Sequence, residues 1–342
     1  MTAPSPSQDI KMKHFLTTED WPREDLEQLL VDADRLRGLK DQSLKGKTAA
    51  LIFFNPSLRT RASFQVAMIE MGGNALVLDT AGTWSLEVEP GAMMDQGAEE
   101  HVKEAARVLS TYVDVICIRC FPKFQDWSVD RQDRLLHAFA EYATVPIVNM
   151  ETIVHPCQEL AHMLAVKDRL GAPDGKKYVL TWTYHPKPLN TAVANSSLLI
   201  ATKFGMDVTL LCPTEEYLLD PRFMSASEEN VKRSGGSLTI SHDPQTAYRD
   251  ADVVYAKSWG ALPYFGRWEE EKPIRDAHRH FRVDEDKMAL TNNALFSHCL
   301  PLRRNVKVTD AVADSPQSMI IEEAANRLPV QKAVLQRLLK GN

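Results

Sequence analysis

One short segment of the chain concentrates residue types that bind phosphate. The apolar run AALIFF (49–54) predicts a buried strand, and it is followed by Ser57, Arg59, Thr60 and Arg61. Ser57 is a natural helix N-cap, and the first N–H groups of a helix lack intrahelical partners and carry the positive end of its dipole. Arginines beside such groups form a cradle for an anion, with hydrogen bonds of about 1.5–3 kcal/mol each. The segment predicts a phosphate site, although a solvated helix start would have the same composition.

Nine apolar runs, separated by amphipathic helical stretches, organise the rest of the chain. Continuous Val, Ile and Leu runs between helices are typical of parallel strands buried on both faces. Four runs in the first half and five in the second predict two doubly wound parallel-sheet domains of the α/β class. The runs are 49–54, 74–79, 113–119, 146–150, 178–182, 207–213, 237–243, 252–259 and 294–301.

The domain boundaries are predicted from where the two series of strands begin and end. We expect a flexible tail at 1–11, a first domain at 12–155, and a second domain at 156–321 that begins with the joining helix. Residues 322–342 predict a C-terminal helix that packs back on the first domain and is interrupted near Pro329. In doubly wound sheets the ligand lies beyond the carboxyl ends of the strands, so the polar residues that follow each run are functional candidates.

Composition and charge argue against several classes of function. The chain has 342 residues, is 44% hydrophobic and 25% charged, and therefore contains enough apolar material for large cores. Its net charge of −6 does not favour a nucleic acid or an anionic membrane as a partner. The five widely spaced cysteines and an N-terminus without signal-peptide features predict a cytoplasmic location.

Two short motifs resemble cofactor or metal sites, but their contexts do not fit. GKT at 46–48 lacks the first glycine of a phosphate loop and precedes its strand. QELAH at 158–162 resembles a zinc-protease helix in which a glutamine replaces the first histidine. No G-x-G-x-x-G occurs in the sequence, so dinucleotide binding has no support, and the missing histidine of QELAH argues against a metal. We therefore predict neither a cofactor nor a metal.

Three motifs, in order along the chain, resemble one enzyme family. SLRTR (57–61) is similar to the S-x-R-T-R signature of the aspartate/ornithine carbamoyltransferases, and HPCQ (155–158) and HCLP (298–301) are similar to its other two markers. The resemblance extends over nearly all of the chain beyond the tail. Four longer segments resemble the branch of this family that uses N-acetylornithine, namely 149–160, 180–193, 253–263 and 298–310.

The resemblance implies a reaction between two small molecules without a cofactor. The carbamoyl group of carbamoyl phosphate would pass to the δ-amine of N-acetyl-L-ornithine, giving N-acetyl-L-citrulline and phosphate, in arginine biosynthesis. YAKSWGA (255–261) replaces the D-x-x-x-S-M-G loop by which ornithine enzymes bind a free α-amino group, which implies a blocked one. An N-succinylornithine enzyme and a non-catalytic phosphate- or amino-acid-binding relative are the alternatives.

The same resemblance implies the residues that bind carbamoyl phosphate. Arg119 and His155 would face the carbamoyl oxygen, while Gln158 would accept from the carbamoyl amide together with main-chain carbonyls. A cis Leu300–Pro301 bond, as in the family pattern, would direct those carbonyls inward. The implied catalytic residues are Arg59, Arg119, His155, Gln158, Cys299 and Leu300. Carbamoyl phosphate binding would also involve Ser57, Leu58, Thr60, Trp84 and Arg327.

A second group of candidates would bind the amino acid. Each of them lies at the end of a predicted strand, just past it, or at the start of the next helix, on the expected side of the sheet. His185 with Lys257 suits a carboxylate, and Glu151 suits an amine or amide N–H. The group consists of Glu151, His185, Asn190, Lys257 and Leu300, although polar residues of ordinary surface loops are the alternative interpretation.

Two further predictions concern selectivity and modification. By resemblance, the loop at 82–101 would reach the active site of a neighbouring subunit in a homotrimer, with Trp84 over carbamoyl phosphate. Glu99 matches the position that separates acetyl from succinyl substrates, and its charge would repel a succinyl carboxylate.

Lys307 lies near Arg303 and Arg304 in the sequence, and nearby positive charge lowers a lysine pKa. The resemblance implies a carboxylated Lys307, with an ordinary surface lysine as the alternative.

Overall fold

The computed structural model describes residues 14–80, 85–95 and 97–340. The predicted tail at 1–11 and Trp84 lie outside these described residues. The chain divides into two compact units, of which the first takes in residues up to Pro122, Arg131–Cys157 and the residues from Arg327 onward. The second unit consists of Lys123–Asp130 and Gln158–Asn326. Each unit has its own parallel sheet with helices, which confirms the predicted fold class.

All nine predicted strands form, and two very short strands join them. β3 and β4 pair only with each other, in the segment that the sequence analysis predicted as a loop. The strands are β1 Thr48–Phe53, β2 Asn74–Asp79, β3 Leu86–Glu87, β4 Glu100–His101, β5 Val115–Arg119, β6 Ile147–Glu151, β7 Lys177–Trp182, β8 Asp207–Leu211, β9 Ser237–Ser241, β10 Val253–Lys257 and β11 Leu295–Ser297.

The helices lie between the strands, as a doubly wound fold requires. They are α1 Arg23–Arg35, α2 Arg59–Glu70, α3 Val102–Tyr112, α4 Trp127–Asp130, α5 Arg134–Tyr142, α6 Pro156–Leu170, α7 Ala192–Lys203, α8 Pro221–Ser234, α9 Pro244–Tyr248, α10 Trp268–Ala277, α11 Glu285–Met288, α12 Asp310–Ala313 and α13 Ile320–Lys340. Within the described residues, no helix is both long and apolar enough to span a bilayer.

The sheet of the first unit has the strand order β2-β1-β5-β6, with all neighbours parallel. Every residue of β5 and β6 is buried, which explains their continuous apolar runs. Ile52, Ile116 and Ile118 pack in one cluster with Val102 of α3 and Phe139 of α5. Burial of such a side chain stabilises the fold by about 1.5–3 kcal/mol, so this cluster fixes the strands that carry the polar residues at their ends.

The sheet of the second unit has the strand order β11-β10-β7-β8-β9, again with parallel neighbours. Helix α7 is buried over Ala192–Thr202 without an exposed face. A helix surrounded by protein needs no amphipathic pattern, and this one consists mainly of alanine, serine and aliphatic residues.

Local signals in the sequence set the bounds of helix α8. The Asp220 carboxylate accepts a hydrogen bond from the N–H of Arg222 at 2.8 Å, and Pro221 occupies the first turn. Gly235 ends the helix with φ of 83°, a left-handed conformation that glycine adopts without steric cost.

An aromatic cluster holds residues 123–130 in the second unit, although the predicted first domain, 12–155, includes them. The rings of Phe124 and Phe265 stack with centroids 5.7 Å apart. The indole N–H of Trp268 donates to the carbonyl of Phe124 at 3.0 Å, and that of Trp127 donates to Asp220 at 2.6 Å. The contacts among these partly buried rings and their two indole hydrogen bonds keep the segment in place.

The predicted interruption of the C-terminal helix is wrong. Helix α13 continues from Ile320 to Lys340 with Pro329 inside it. Buried neighbours on both sides, including Arg327 and Val330, hold the helical path. Their packing outweighs the roughly 3 kcal/mol that proline costs a helix relative to alanine.

Candidate active site

The carboxyl ends of the four strands in the first sheet meet at one edge. Phe53 of β1 is in register with Asp79 of β2 and with Arg119 of β5, and Arg119 is in register with Glu151 of β6. The chain leaves β1 toward β2 on one side and returns to β5 on the other, so this edge is a topological switch point. Ligands bind at such points in open α/β sheets.

The helix after β1 begins slightly later than expected, and Ser57 is not its N-cap residue as predicted. Helix α2 starts at Arg59, and Leu58 occupies the N-cap position with 79% of its surface exposed. The N–H of Thr60 donates to Ser57 Oγ at 3.3 Å. Ser57 therefore caps the first turn from one position upstream, and the helix N-terminus lies at the switch point.

Arg61 does not join the phosphate cradle that the sequence analysis proposed. Its guanidinium donates to both carboxylate oxygens of Asp79, and it stacks on the Phe53 ring at 4.5 Å. The pairing with Arg61 keeps the pKa of Asp79 below its ordinary value. Arg61 therefore ties α2 to the ends of β1 and β2.

Three other arginines of the first unit are close enough to affect one another. Arg327 is buried, and its Nη2 donates to Thr60 Oγ1 at 2.5 Å. Burial lowers the pKa of Arg327 to about 10; the carboxylate of Glu151 opposes this shift, and the positive charges of Arg59 and Arg119 add to it. Arg59 and Arg119 are thus close enough to affect the charge of Arg327, which contacts Thr60 directly.

Glu151 lies between two predicted catalytic residues. Arg119 Nη1 donates to Glu151 Oε2, and His155 Nε2 is 3.5 Å from the same oxygen. All three side chains are buried, and the Arg119 guanidinium also lies 4.5 Å from the Phe121 ring centroid. The structure therefore brings Arg119, Glu151 and His155 together at the ends of β5 and β6.

Two buried N–H groups in this cluster lack a protein acceptor. Within the described residues, neither Nε of Arg119 nor Nε of Arg327 has a hydrogen-bond partner. An unsatisfied buried donor costs about 1–3 kcal/mol, and more when it is charged. An anion beside Thr60 would supply the missing acceptors, which fits the phosphate predicted from the sequence.

The second unit also collects predicted residues at the carboxyl ends of its central strands. Trp182 of β7 is in register with Lys257 of β10, and the N–H of Thr183 donates to the Lys257 carbonyl at 2.9 Å. Lys257 and His185 are buried at this end of the sheet. Asn190 is also buried, and its Oδ1 accepts from the N–H of Ala192 at 3.2 Å at the start of α7.

His185 is a neutral hydrogen-bond acceptor for Arg303, which was not among the predicted site residues. Arg303 Nε donates to His185 Nε2 at 3.0 Å. Burial lowers the pKa of His185 to about 4, and the positive charges of Lys307, Arg303 and Lys257 add to this effect. The histidine therefore orients a cation, whereas the sequence analysis assigned it directly to a carboxylate.

The HCLP segment forms a tight turn directly after β11. The N–H of Leu300 donates to His298 Nδ1 at 2.9 Å. The Leu300–Pro301 peptide bond is cis, as expected, and Leu300 has φ of 58°. Cys299 is buried and Leu300 is partly buried.

Lys307 is 2% exposed, so its interpretation as an ordinary surface lysine is wrong. Its Nζ lies 3.3 Å from His298 Nε2. Burial lowers the pKa of Lys307 to about 7, with a further contribution from the charge of Lys257. Because His298 Nδ1 accepts from Leu300, a neutral His298 carries its proton on Nε2 and donates it to an uncharged lysine amine.

Gln158 and Glu99 have very different surroundings. Gln158 is buried, and its Nε2 donates to the carboxylate of Glu323, a residue that the sequence analysis did not select. Glu323 lies one helical turn before the predicted residue Arg327, and this spacing was the only signal in the sequence that pointed to Glu323.

The predicted selectivity residue Glu99 is exposed, and its N–H donates to the Ser85 carbonyl at 3.2 Å.

Comparison with known proteins identifies the family. Residues 13–168 match "Aspartate/ornithine carbamoyltransferase, carbamoyl-P binding domain", and residues 180–338 match "Aspartate/ornithine carbamoyltransferase, Asp/Orn binding domain". The chain belongs to the aspartate/ornithine carbamoyltransferase family. Arg59 and Arg119 therefore lie within the region that matches the carbamoyl phosphate domain, whereas Arg327 lies within the region that matches the Asp/Orn binding domain.

Relatives within the carbamoyltransferases differ in their named substrates. The N-acetylornithine carbamoyltransferase of Xanthomonas campestris pv. campestris is 61% identical over 96% of this chain and 98% of its own. The N-succinylornithine carbamoyltransferase of Bacteroides thetaiotaomicron is 38% identical over 96% and 99%. A crystal structure of acetylornithine transcarbamylase complexed with acetylcitrulline has a TM-score of 0.94 and 60% identity, covering 96% of this chain and 99% of that chain.

Proposed function

We propose that this carbamoyltransferase transfers the carbamoyl group of carbamoyl phosphate to the δ-amine of N-acetyl-L-ornithine. The products would be N-acetyl-L-citrulline and phosphate, in arginine biosynthesis. The observation that carries the proposal is the pair of buried Nε groups of Arg119 and Arg327 that have no protein acceptor, together with the contact of Arg327 with Thr60. The 61% identity to a relative named N-acetylornithine carbamoyltransferase supports the choice of amine.

The first unit would bind and activate carbamoyl phosphate. Arg59, Thr60 and Arg327 would bind the phosphate, with the main chain of Ser57 and Leu58 at the helix N-terminus. Arg119 and His155 would donate to the carbamoyl oxygen, where negative charge develops as the amine attacks. Their common contact with Glu151 supports an orienting role for this carboxylate, in place of its predicted contact with the amino acid.

The reaction itself needs correct placement more than covalent catalysis by the protein. An uncharged δ-amine forms the new N–C bond while the C–O bond to phosphate breaks. The proton that the amine loses passes to the departing phosphate. The positive charges of Arg59 and Arg327 stabilise that leaving group, so the chain would lower the barrier by positioning and electrostatics.

The second unit would present acceptors to the carbamoyl NH2 group and cations to the carboxylate of the amino acid. Gln158 Oε1 and the carbonyls of Cys299 and Leu300 would accept from the carbamoyl NH2 group. Lys257 and Arg303 would face the α-carboxylate, and the neutral His185 would hold Arg303 in place. Asn190 would contact the amide of the acetyl group. The proposed domain roles are therefore carbamoyl phosphate binding by 12–155 with 322–342, and amino-acid binding by 156–321.

We propose that Lys307 is carboxylated at neutral pH. Only an uncharged amine adds CO2, and the burial that lowers the pKa of Lys307 to about 7 provides that form. The Nε2–H of His298 would then donate to the carbamate instead of the amine. The new anion would also reduce the repulsion among Lys257, Arg303 and Lys307.

The remaining proposals concern assembly and location. We propose a homotrimer in which the segment at 82–101 completes the active site of a neighbouring subunit. Leu76 on the edge strand β2 and Ile69 on α2 are large apolar side chains with 43% and 64% exposure, which supports an interface on the first unit. None of the five cysteines, all in the described residues, forms a disulfide, which supports a cytoplasmic enzyme.

A parallel assay of three amines tests the proposed function. Carbamoyl phosphate is supplied with ornithine, N-acetylornithine or N-succinylornithine, and formation of the ureido product is measured. We expect N-acetylornithine to have the highest kcat/KM. A higher value for N-succinylornithine would support the alternative substrate, and no product with any amine would support a non-catalytic relative.

Substitution Glu99→Pro tests the basis of selectivity. Loss of the carboxylate removes its repulsion of a succinyl group, so the ratio of kcat/KM for N-succinylornithine to that for N-acetylornithine should rise at least about tenfold. Glu100→Pro, which removes the neighbouring carboxylate, is the matched control. An unchanged ratio in Glu99→Pro would remove Glu99 from the account of selectivity.

A further inference from the structure

Glu323 is a fully buried carboxylate that accepts four hydrogen bonds from three elements of the second unit. His162 Nδ1 donates from α6 and Tyr255 Oη from β10, each at 3.0 Å. Gln158 Nε2 of α6 and Ser297 Oγ of β11 also donate to it. Glu323 itself is 0% exposed. Among the described residues, no lysine or arginine forms an ion pair with Glu323, and His162 is its one basic neighbour within ion-pair distance.

The donors around Glu323 determine which atom of Gln158 points toward it. A buried carboxylate is very costly unless it is hydrogen-bonded, and it can only accept. His162 Nδ1 faces the Glu323 carboxylate and therefore carries the proton, which leaves Nε2, 3.0 Å from Tyr178 Oη, as the acceptor. The same requirement places the amide nitrogen of Gln158, and not its oxygen, against Glu323.

The residues around Glu323 lie next to predicted substrate contacts. Ser297 directly precedes the HCLP turn, and Tyr255 lies two residues before Lys257 in β10. With its amide nitrogen held against Glu323, Gln158 directs Oε1, its only acceptor, toward another partner. A carbamoyl group presents an NH2 donor, which needs an acceptor at that position.

We propose that Glu323 is a positioning residue that orients the Gln158 amide so that its oxygen faces the carbamoyl NH2 group. This inference rests on the proposed function and assigns a residue outside the predicted site. It also explains why a buried anion occupies this place in the core. An apolar residue there would leave four donors unsatisfied and the amide free to rotate by half a turn.

The first test is Glu323→Gln, with calorimetric affinity for carbamoyl phosphate as the readout. The carboxamide introduced at position 323 can donate to Gln158 Oε1, so the Gln158 amide can rotate by half a turn. Its NH2 group would then face the carbamoyl NH2 group, and two donors would oppose each other. We expect an affinity loss of about tenfold to hundredfold, because an unmatched buried polar group costs about 1–3 kcal/mol. The KM for N-acetylornithine should change by less than about twofold.

Tyr255→Phe is the matched control, because it removes another hydrogen bond to the same oxygen of Glu323 and leaves Gln158 untouched. Its affinity for carbamoyl phosphate should remain within about threefold of the parent. Equal affinity losses in the two variants, with equal decreases in Tm, would overturn the inference and leave Glu323 a structural residue.

A second variant, Gln158→Glu, gives a pH signature that a structural role would not produce. Two facing carboxyls share one proton, and the protonated carboxyl introduced by this substitution can then donate to Glu323 while its other oxygen accepts from substrate. Loss of that proton at higher pH removes the arrangement. Affinity for carbamoyl phosphate, relative to the parent, should fall at least about tenfold between pH 6 and pH 9.

The pH test also separates the inference from the proposed function. The other titratable groups at Glu323 are His162 and Tyr255, with Tyr178 behind His162, and all are present in the parent. A pH-independent affinity ratio would overturn the inference, even if Glu323→Gln does not fold. If the parent used N-succinylornithine instead of N-acetylornithine, the proposed function would be wrong. The role of Glu323 would still stand, because its tests measure affinity for carbamoyl phosphate.

Discussion

At the scale of single residues, the surroundings of each charge decide its role. Arg59 and Arg61 lie two positions apart, yet Arg61 pairs with Asp79 while Arg59 lies near Arg119 and Arg327. In the second unit, burial and the charge of Lys257 lower the pKa of Lys307 to about 7. Chemical type alone therefore does not separate a candidate phosphate ligand such as Arg59 from a structural cation such as Arg61.

The two arginines of the SLRTR segment should respond differently to substitution. Arg59→Gln should remove the Tm increase that carbamoyl phosphate produces, because a ligand at a hundred times its Kd adds about 2.7 kcal/mol only if it binds. Arg61→Gln changes the same charge in the same turn and should keep that increase. Thermal melts with and without carbamoyl phosphate check this, and loss of the increase in Arg61→Gln would contradict it.

Carboxylation of Lys307 should follow the pH at which its amine loses a proton. Burial lowers the pKa of Lys307 from 10.5 to about 7, so half of the amine is uncharged near pH 7 and more above it. At a fixed pressure of ¹³C-labelled CO2, the carbamate signal in the NMR spectrum should rise between pH 6 and pH 8. Lys307→Arg should lack the signal. A signal that appears only above about pH 9.5 would match an unperturbed lysine.

The lowered pKa of Lys307 also makes the free energy of unfolding depend on pH. Between pH 7 and pH 10.5 the unfolded chain holds a proton on Lys307 that the folded chain lacks. The free energy of unfolding therefore decreases as pH falls through that window, and the loss is complete near pH 7. Without CO2, Lys307→Met should be more stable than the parent at pH 7 and less different at pH 10.

At the scale of secondary structure, each element carries residues for both packing and chemistry. Helix α13 contains Glu323 and Arg327 one turn apart, so the predicted break at Pro329 would have altered the path just after them. Helix α2 presents its N-terminus at the end of β1 and fixes it through Arg61. The elements therefore behave as rigid supports for side chains at the sheet edges.

The attachment of residues 123–130 to the second unit depends on the absence of a side chain at Gly266. A Cβ there would lie 2.1 Å from the Gln125 carbonyl oxygen, at a φ of +82°. Gly235→Ala is the matched control, because its φ is +83° and nothing lies within 4 Å of the added Cβ. Urea unfolding should show that Gly266→Ala costs at least about 2 kcal/mol more than Gly235→Ala. Equal costs would mean that the segment moves without penalty.

At the scale of the whole molecule, the two α/β units carry different candidate side chains. Arg59, Arg119 and Arg327 lie in the first unit, whereas Lys257, Arg303 and Lys307 lie in the second. An overall charge of −6 does not conflict with a phosphate site, because the positive charges are local and partly buried.

The proposed trimer predicts different effects at the two exposed sheet edges. Leu76 lies on β2, which leads into the segment proposed to reach a neighbouring subunit, and Ile240 lies on the edge strand β9 of the second sheet. Their exposures are 43% and 44%. Leu76→Glu should reduce the mass measured by sedimentation, whereas Ile240→Glu should not. A parent that sediments as a monomer would contradict the proposed assembly.

The sequence by itself determined the nine strands, the two parallel sheets and the segments that carry the site. These features depend on local apolar periodicity and on short motifs, and the SLRTR, HPCQ and HCLP segments all lie at or just beyond the ends of strands. The capped turn at Ser57 was predictable for the same reason, because its hydrogen bond spans three residues.

Only the tertiary structure decided which side chains are partners. The hydrogen bond from Gln158 to Glu323 spans 165 residues, and that from Arg303 to His185 spans 118. Arg61 forms an ion pair with Asp79. Lys307 is buried, although residues close to it in the sequence are charged. Hydrogen bonding and desolvation depend on distances of a few ångströms in space, and residue order along one chain does not encode them in any local pattern.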